Sequence, residues 1–411
     1  MINYNFDSTT FFFNLFALSI LLLPLYALLR PAWARRALFS LAGAYLLFLI
    51  APRLMVFYVA MWVMVAGMQR IIFFTAERRF GLQFFWAILL CVLTPMVSWK
   101  IFGQPFEIQF TILTNRVIEL ISLPLWEIDM AREVVIPIGL SFATFRALDL
   151  LIKTFIGRLG LLSLDRVLFY GLFPPVLMVG PIIEYEEVQK QSDSNANLSA
   201  EGMLYGLFRV AFGLIKVLVL AFALAGSAAV FSNYGESELY TVWLGLFVYT
   251  WFFYLNFSGY SDIAIGFSRI FGFQLKENFN NPYFSKNISE FWNSWHMSLS
   301  RFAQRNVFVP MGGFRSKTQF LAIYLTMMTI ALWHDITLAM FAFGTYHAFG
   351  LIVHRTLSER RINILPQGTA ANALRILVTY LFVALSFPLL VMPLDRALEF
   401  YPSLVGIGSA W

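Results

Sequence analysis

The chain has 411 residues, of which 59% are hydrophobic and 13% are charged, and its mean hydropathy is +0.72. Soluble domains are nearer 45–50% apolar and about 25% charged, so this composition excludes a protein built around one water-soluble core. The net charge of +6 comes from short basic clusters between apolar runs, a pattern that indicates cytoplasmic loops and argues against a nucleic-acid partner. Cys91 is the single cysteine, which excludes an internal disulfide and a cysteine-rich metal site.

Long apolar runs predict an all-α polytopic membrane protein with roughly eleven transmembrane helices in a single domain, residues 1–411. In chain order the predicted spans are 10–29, 37–51, 54–75, 82–99, 134–156, 166–183, 203–231, 240–257, 319–333, 336–353 and 373–392. We expect the first to be a retained span, because it lacks the basic start and the cleavage site of a signal peptide. Basic loops at 30–36 and 76–79 and an acidic segment at 104–133 fit one orientation, with the N-terminus outside.

Two polar stretches, 181–201 and 273–318, interrupt this pattern and are too polar to span a membrane. Within the second, the spacing of Asn287 and Glu290 predicts a helix that Asn287 caps, with Glu290 at the third helical position. Such a helix near the membrane surface can shape the mouth of a buried site.

The four histidines, His296, His334, His347 and His354, all lie in the last third of the chain. His334 is the strongest candidate for chemistry, because it stands in an apolar run whose one charged member is the adjacent Asp335, and ionisable groups at membrane depth usually face a cavity. The alternative is a buried histidine bonded to a backbone carbonyl. If residues 334–347 formed one helix, His334 and His347 would lie about 20 Å apart and could not meet at one atom. For His296 a surface position is an equal alternative, and for His354 an interfacial position at a helix end is favoured.

No HExxH pattern, Gly-x-Ser-x-Gly elbow or phosphate loop occurs in the sequence, so we expect no metal site and no serine nucleophile.

Several sequence blocks together resemble the membrane-bound O-acyltransferase family over roughly residues 135–355. The blocks are Pro137–Phe142, Phe173–Pro175 with Gly180–Pro181, Leu255–Gly266, Phe271–Phe273, Glu277–Tyr283, Phe291–Ser300, Val309–Gly313, Leu332–His334 and Gly344–Gly350. Both bacterial branches of the family fit, the alginate O-acetyltransferases and the teichoic acid D-alanyltransferases.

This resemblance implies a ring of tilted helices around a tunnel that opens to a donor on one side and an acceptor on the other. It also implies that His334, in the Trp-His pair, is the catalytic histidine and that His296 is the second functional position. His347 matches a histidine common in the bacterial branch. The residues expected to support the site or line the tunnel are His347, Asp335, Trp295, Trp333, Asn293 and Ser298.

In chemical terms, a neutral His334 would take the proton of an acceptor hydroxyl, and a protonated or donating His296 would stabilise the oxyanion or orient the acceptor. The sequence departs from the family at Asp335, where glycine is usual, at Asn256, where an acidic residue is usual, and at Ala303–Asn306, where Trp-x-Arg-Asp is usual.

The resemblance further implies an acyl group, acetyl or D-alanyl, that travels from a cytoplasmic thioester donor to an extracytoplasmic cell-envelope polysaccharide or teichoic acid. The expected co-substrate is an acyl carrier protein or acyl-CoA, with no bound cofactor, and the expected partners are membrane lipid and an acyl carrier protein or other acyl-transfer subunit. Basic residues in 301–317 would suit an acidic carrier or anchor the chain at the membrane surface. The expected location is the bacterial cytoplasmic membrane.

Two other classes of function stay open. A transporter or flippase would use the histidines as a proton relay, but it would predict inverted repeats, and the sequence shows none. A non-catalytic membrane scaffold would fit the departures at Asp335 and Asn256.

Overall fold

The computed structural model describes residues 9–50, 52–103, 139–177, 179–193, 198–315, 317–362 and 368–407. Within these ranges the chain forms helices and no β-strand, which confirms the predicted all-α class. The principal helices are α1 Thr9–Leu28, α2 Ala32–Ile50, α3 Pro52–Thr75, α4 Gly81–Phe102, α5 Leu140–Phe155, α6 Leu164–Gly171, α7 Tyr185–Asp193, α8 Ala200–Asn233, α9 Leu239–Ile270, α10 Ile288–Ser294, α11 Met297–Ala303, α12 Gln319–His334, α13 Leu338–Glu359, α14 Thr369–Val391 and α15 Leu394–Ser403.

Five of these helices, α2, α3, α4, α8 and α14, are long and apolar enough to cross a membrane, and α12 is a shorter apolar helix. The chain is therefore a polytopic membrane protein, as predicted, although the number of eleven spans is not confirmed. The acidic segment predicted at 104–133 lies outside the described residues, as does the beginning of the span predicted at 134–156.

The span predicted at 166–183 is wrong. Helix α6 has eight residues and is followed by a 3-10 turn at Pro174–Val176. At 1.5 Å per residue α6 is only about 12 Å long, against the roughly 30 Å of a bilayer core. Two consecutive prolines, Pro174 and Pro175, remove backbone donors and prevent the helix from continuing.

Contacts divide the chain into two compact units, and the first comprises Met1–Leu207 and Ala264–Leu275. Its core is aromatic. The buried ring of Phe39 on α2 lies 5.1–5.9 Å, between centroids, from the rings of Tyr26, Phe169, Phe173, Phe271 and Phe273.

The first unit also buries charge. Arg36, predicted to lie in a basic loop, instead belongs to α2 and pairs with Asp165 at 2.7 Å and with Asp193 at 2.6 Å. The ammonium group of Lys153 lies 2.6–2.9 Å from the carboxylates of Asp149, Glu184 and Glu186. These three carboxylates are close enough together to hold a metal ion, but Lys153 already supplies a cation to them.

The second unit comprises Phe208–Ile263 and Lys276–Trp411. Its predicted cap is confirmed, since Asn287 Oδ1 accepts the backbone N–H of Glu290 at 2.9 Å and the Glu290 carboxylate accepts the N–H of Lys286 at 2.9 Å. Helices α12 and α13 are joined by three residues and pack closely. A Cβ at Gly344 would lie 2.9 Å from the Cβ of Ala331, so glycine is needed for this approach.

Candidate active site

His296 lies at the sharp break between α10 and α11. The backbone of Trp295 is extended, whereas His296 adopts the left-handed conformation with φ 40° and ψ 52°. A non-glycine residue in this conformation carries strain of roughly 1–2 kcal/mol, and such residues cluster at functional sites. The side chain is 1% exposed, so the surface alternative for His296 is wrong.

The rings of His296 and His334 are both neighbours of the Trp333 ring. Its ring centroid lies 5.6 Å from that of His296 and 4.9 Å from that of His334. The Phe257 ring is a further aromatic neighbour, with its centroid 4.6 Å from that of the His296 ring. The two predicted catalytic histidines therefore both lie next to the Trp333 ring.

The environment of His296 favours its neutral form. Burial, together with the positive charges that His334 and Arg301 would carry, lowers the pKa of His296 well below its usual range. This residue lies outside the membrane-crossing helices. A neutral imidazole can still donate one ring N–H, so the donor role expected for His296 fits better than the protonated one.

His334 is the last residue of α12, and the backbone leaves the helical conformation at the next residue. Asp335 is extended at φ −160°, and its carboxylate accepts the backbone N–H of Ile336 at 2.9 Å. Thr337 then caps α13 by accepting the N–H of Met340 at 3.3 Å. Because any residue adopts φ −160°, this position does not require the glycine expected from the resemblance, and aspartate occupies it without backbone strain.

His347 belongs to a different environment. The break at 335–337 removes the single helix considered for residues 334–347, and His347 lies nine residues into α13, about 14 Å along its axis. It is buried and its Nε2 shares a 3.0 Å hydrogen bond with Ser386 Oγ. The ring contacts described for it are with Trp292, Phe343, Tyr346 and Phe382, not with His296 or His334.

The other predicted supporting residues take different positions. Trp295 stacks against Phe291 at 5.6 Å and against Tyr283 at 5.8 Å, which anchors the turn before His296. Ser298 is buried in α11, whereas Asn293 is exposed and lines a groove.

This groove is a cavity of about 280 Å³ among helices α10 to α13. On α12 it is lined by Ile323, Thr326, Met327 and Ile330, a stripe with helical spacing that leads one turn further to His334. On α11 it is lined by Ser300, four residues after His296. The remaining lining residues are Ser289, Trp292, Asn293, Gln304, Phe308, Phe314, Leu351, His354, Arg355 and Ser358.

A second cavity of about 280 Å³ is polar. Its charges are paired, because Arg209 contacts Asp262 at 2.7 Å and Glu277 at 2.6 Å, and Lys216 contacts Asp262 at 2.6 Å. Phe279, one of its lining residues, stacks on the His296 ring with centroids 6.5 Å apart.

Asn278 also lines this polar cavity, and the sequence reasoning missed it as a site residue. Its backbone C=O accepts the N–H of Met297 at 2.9 Å, and its Oδ1 accepts the N–H of Ser298 at 3.0 Å. Asn278 therefore holds the two residues that directly follow His296. A sequence signal was available, since Asn278 belongs to the Glu277–Tyr283 block, but its partners lie about twenty residues away.

The fold and this site define a polytopic membrane protein in which a buried histidine, His296, and a half-buried one, His334, lie beside the same tryptophan ring. Residues 155–392 match the model of the membrane-bound O-acyltransferase family. This match covers more than half of the 411 residues, and the chain belongs to that family. The matched region includes α6 to α14 and extends beyond the resemblance at 135–355 towards the C-terminus.

Among characterised relatives, the chain is 31% identical over 258 residues to the probable alginate O-acetylase AlgI of Pseudomonas aeruginosa, covering 62% of this chain and 48% of that one. It is 32% identical over 260 residues to the peptidoglycan O-acetyltransferase of Helicobacter pylori, covering 60% and 47%. It is 28% identical over 269 residues to the teichoic acid D-alanyltransferase of Bacillus subtilis, covering 61% and 67%. The chain spans about half the length of the first curated relatives it matches.

Proposed function

We propose that the chain is an O-acyltransferase that moves an acyl group from a thioester donor to a hydroxyl of a cell-envelope polymer. The observation that carries this proposal is that the rings of His296 and His334 lie 5.6 Å and 4.9 Å from the Trp333 ring, one helical turn beyond Ile330, the last groove residue of α12. Membership of the family supports an acyltransferase over a transporter or a scaffold.

In this reaction His334 is the general base. It takes the proton of the acceptor hydroxyl as the oxygen attacks the thioester carbonyl, because a hydroxyl is a poor nucleophile until a base removes its proton. A ring N–H of the neutral His296 donates to the oxyanion that forms on the carbonyl. When the C–S bond breaks, the thiolate takes the proton from His334, and ester and free thiol leave.

The groove is the path of the donor in this proposal. Its α12 stripe begins at Ile323, and His334 lies eleven positions further along the helix, about 16 Å away, which suits a thin flexible arm that carries a thioester at its tip. Ile323, Met327 and Ile330 give the groove an apolar wall along α12, and a thioester that lies against this wall is shielded from water on that side. Arg355 and His354 stand at the end of the groove away from His334.

We further propose that the acyl group is acetyl or D-alanyl, that an acyl carrier protein or acyl-CoA delivers it, and that the acceptor is a polysaccharide, peptidoglycan or teichoic acid outside a bacterial cytoplasmic membrane. The names of the relatives from Pseudomonas aeruginosa, Helicobacter pylori and Bacillus subtilis, which refer to alginate, peptidoglycan and teichoic acid, support this range of acceptors. The same proposal includes six residues that support the site or line its tunnel: His347, Asp335, Trp295, Trp333, Asn293 and Ser298.

The test measures acyl transfer by the purified chain in lipid vesicles, from labelled acetyl-CoA, acetyl-carrier and D-alanyl-carrier donors, to alginate, peptidoglycan fragments and teichoic acid. His334→Ala is expected to lower turnover by about 10²–10⁴-fold, the usual contribution of a general base. The matched control is Thr345→Ala, an exposed residue of α13 outside the groove, which is expected to keep turnover within about twofold.

Equal turnover by wild type, His334→Ala and Thr345→Ala would show that His334 is not the base. If the wild-type chain folds and transfers no acyl group from any donor in the panel, the acyltransferase proposal fails for these donors and acceptors.

A further inference from the structure

Asn278 is fully buried and makes three hydrogen bonds around the turn that carries His296. In addition to its bonds to Met297 and Ser298, its Nδ2 donates to Ser261 Oγ on α9 at 3.0 Å. The side-chain amide is therefore fixed at both ends, by α9 on one side and by the beginning of α11 on the other.

These bonds replace an ordinary helix cap. The first N–H groups of a helix have no partner within it, and the side chain of the N-cap residue usually accepts one of them. His296 occupies the N-cap position of α11, but its side chain does not cap the helix. Asn278 accepts the N–H groups of Met297 and Ser298 instead, which leaves the imidazole to face Trp333.

We propose that Asn278 is a positioning residue for the acyl transfer, acting through His296. This inference rests on the proposed function. By tethering the two residues after His296, Asn278 holds that residue in the left-handed conformation, and this conformation points the ring into the Phe257 and Trp333 cluster. An oxyanion donor works only within a narrow range of positions, so a loosened His296 would lower turnover while donor and acceptor still bind.

The first variant is Asn278→Ala, which removes the side-chain bonds to Ser298 and Ser261 and keeps the backbone bond to Met297. The matched control is Asn280→Ala, two residues further on, whose side chain is exposed and whose backbone N–H bond to Ser294 O at 2.9 Å survives the substitution. A milder variant, Ser261→Ala, removes only the partner of Asn278 Nδ2, for the case in which Asn278→Ala does not fold.

Two readouts are needed. The first is nuclear magnetic resonance of the folded chain with labelled histidine, which gives four imidazole signals, each assigned by substituting one histidine. We expect Asn278→Ala to shift or broaden the His296 signal and to leave the His347 and His354 signals in place. The second is kinetics, where we expect kcat to fall about 10- to 100-fold with KM for donor and acceptor within about twofold. Ser261→Ala should change both readouts in the same direction by less, and Asn280→Ala should change neither.

A purely structural role would move all four histidine signals or lower stability without a selective loss of kcat. The proposal is overturned by a wild-type His296 signal in a folded Asn278→Ala or Ser261→Ala chain, or by a wild-type kcat in such a chain. If the wild-type chain shows no acyl transfer, the proposed function fails on the kinetic readout, and the histidine signals still decide whether Asn278 positions His296.

Discussion

Filling the groove at Thr326 should weaken binding of the thioester donor. Thr326 lies in the middle of the α12 stripe and is half-buried, with Oγ1 bonded to the backbone O of Ala322 at 2.6 Å. The groove has a volume of about 280 Å³, close to the lower limit of about 300 Å³ for pockets that take small ligands. An added indole ring at this position would leave too little room for a pantetheine-like arm.

The size of the effect follows from the apolar contact that the arm loses. Displacing about 60 Å² of contact at about 25 cal/mol per Å² costs about 1.5 kcal/mol, or slightly more than tenfold in affinity. We therefore expect Thr326→Trp to raise KM for the donor about tenfold and to change KM for the acceptor less than twofold. The assay is the initial rate of acyl transfer as a function of donor concentration, at saturating acceptor.

The matched control is Thr345→Trp on α13, a residue of the same type with the same kind of bond, from Oγ1 to the O of Phe341 at 2.9 Å, but with an exposed side chain away from the groove. If both tryptophan variants raise KM for the donor equally, or neither does, the groove is not the donor path. Thermal unfolding of the two variants should agree closely, which separates blocked binding from loss of fold.

Two further predictions concern His296. Because the φ of His296 is 40°, His296→Gly should be more stable than His296→Ala by about 1 kcal/mol, the reverse of the usual order of glycine and alanine. Denaturant unfolding of the two variants measures this difference. An alanine variant as stable as the glycine variant, or more stable, would show that the backbone at this position is not strained. Burial lowers the pKa of His296 and keeps it neutral in the folded chain, whereas in the unfolded chain it binds a proton near pH 6.5. The free energy of unfolding should therefore be insensitive to His296 above that pH and should fall below it, by at most about 1.4 kcal/mol per pH unit. His296→Asn should show a shallower decline between pH 6.5 and 5.5 in the same unfolding experiment, and parallel curves would refute the assignment.

Local signals in the sequence predicted local structure well. The Asn287 and Glu290 pair predicted a capped helix, and the structure has that cap, because the bonds join residues only three or four positions apart. The apolar runs predicted α2, α3, α4, α8 and α14 for the same reason, since helix length and composition are properties of one segment.

Features that depend on distant partners were predicted less well. The apolar run at 166–183 suggested a span, yet Pro174 and Pro175 end its helix early. The basic cluster at 30–36 predicts a loop charge at Arg36, but its partners Asp165 and Asp193 are more than 120 residues away and allow it to be buried in a helix. Asn278 was missed because its role exists only once folding brings it to the beginning of α11.

The position of His334 at the end of α12 suits the reaction proposed for it. When a general base takes a proton at membrane depth it becomes a cation, and a buried cation without compensation is costly. The last carbonyl groups of a helix lack partners within the helix and carry partial negative charge, which stabilises a cation there by about 0.3–1 kcal/mol, or up to about 2 kcal/mol when partly buried. His334 occupies the final position of a sixteen-residue helix and is half-buried, and Asp335 adds a carboxylate at the same break. A histidine in the middle of α12 would lack both sources of negative charge, so the helix break that separates His334 from α13 is itself part of what would make this residue a competent base.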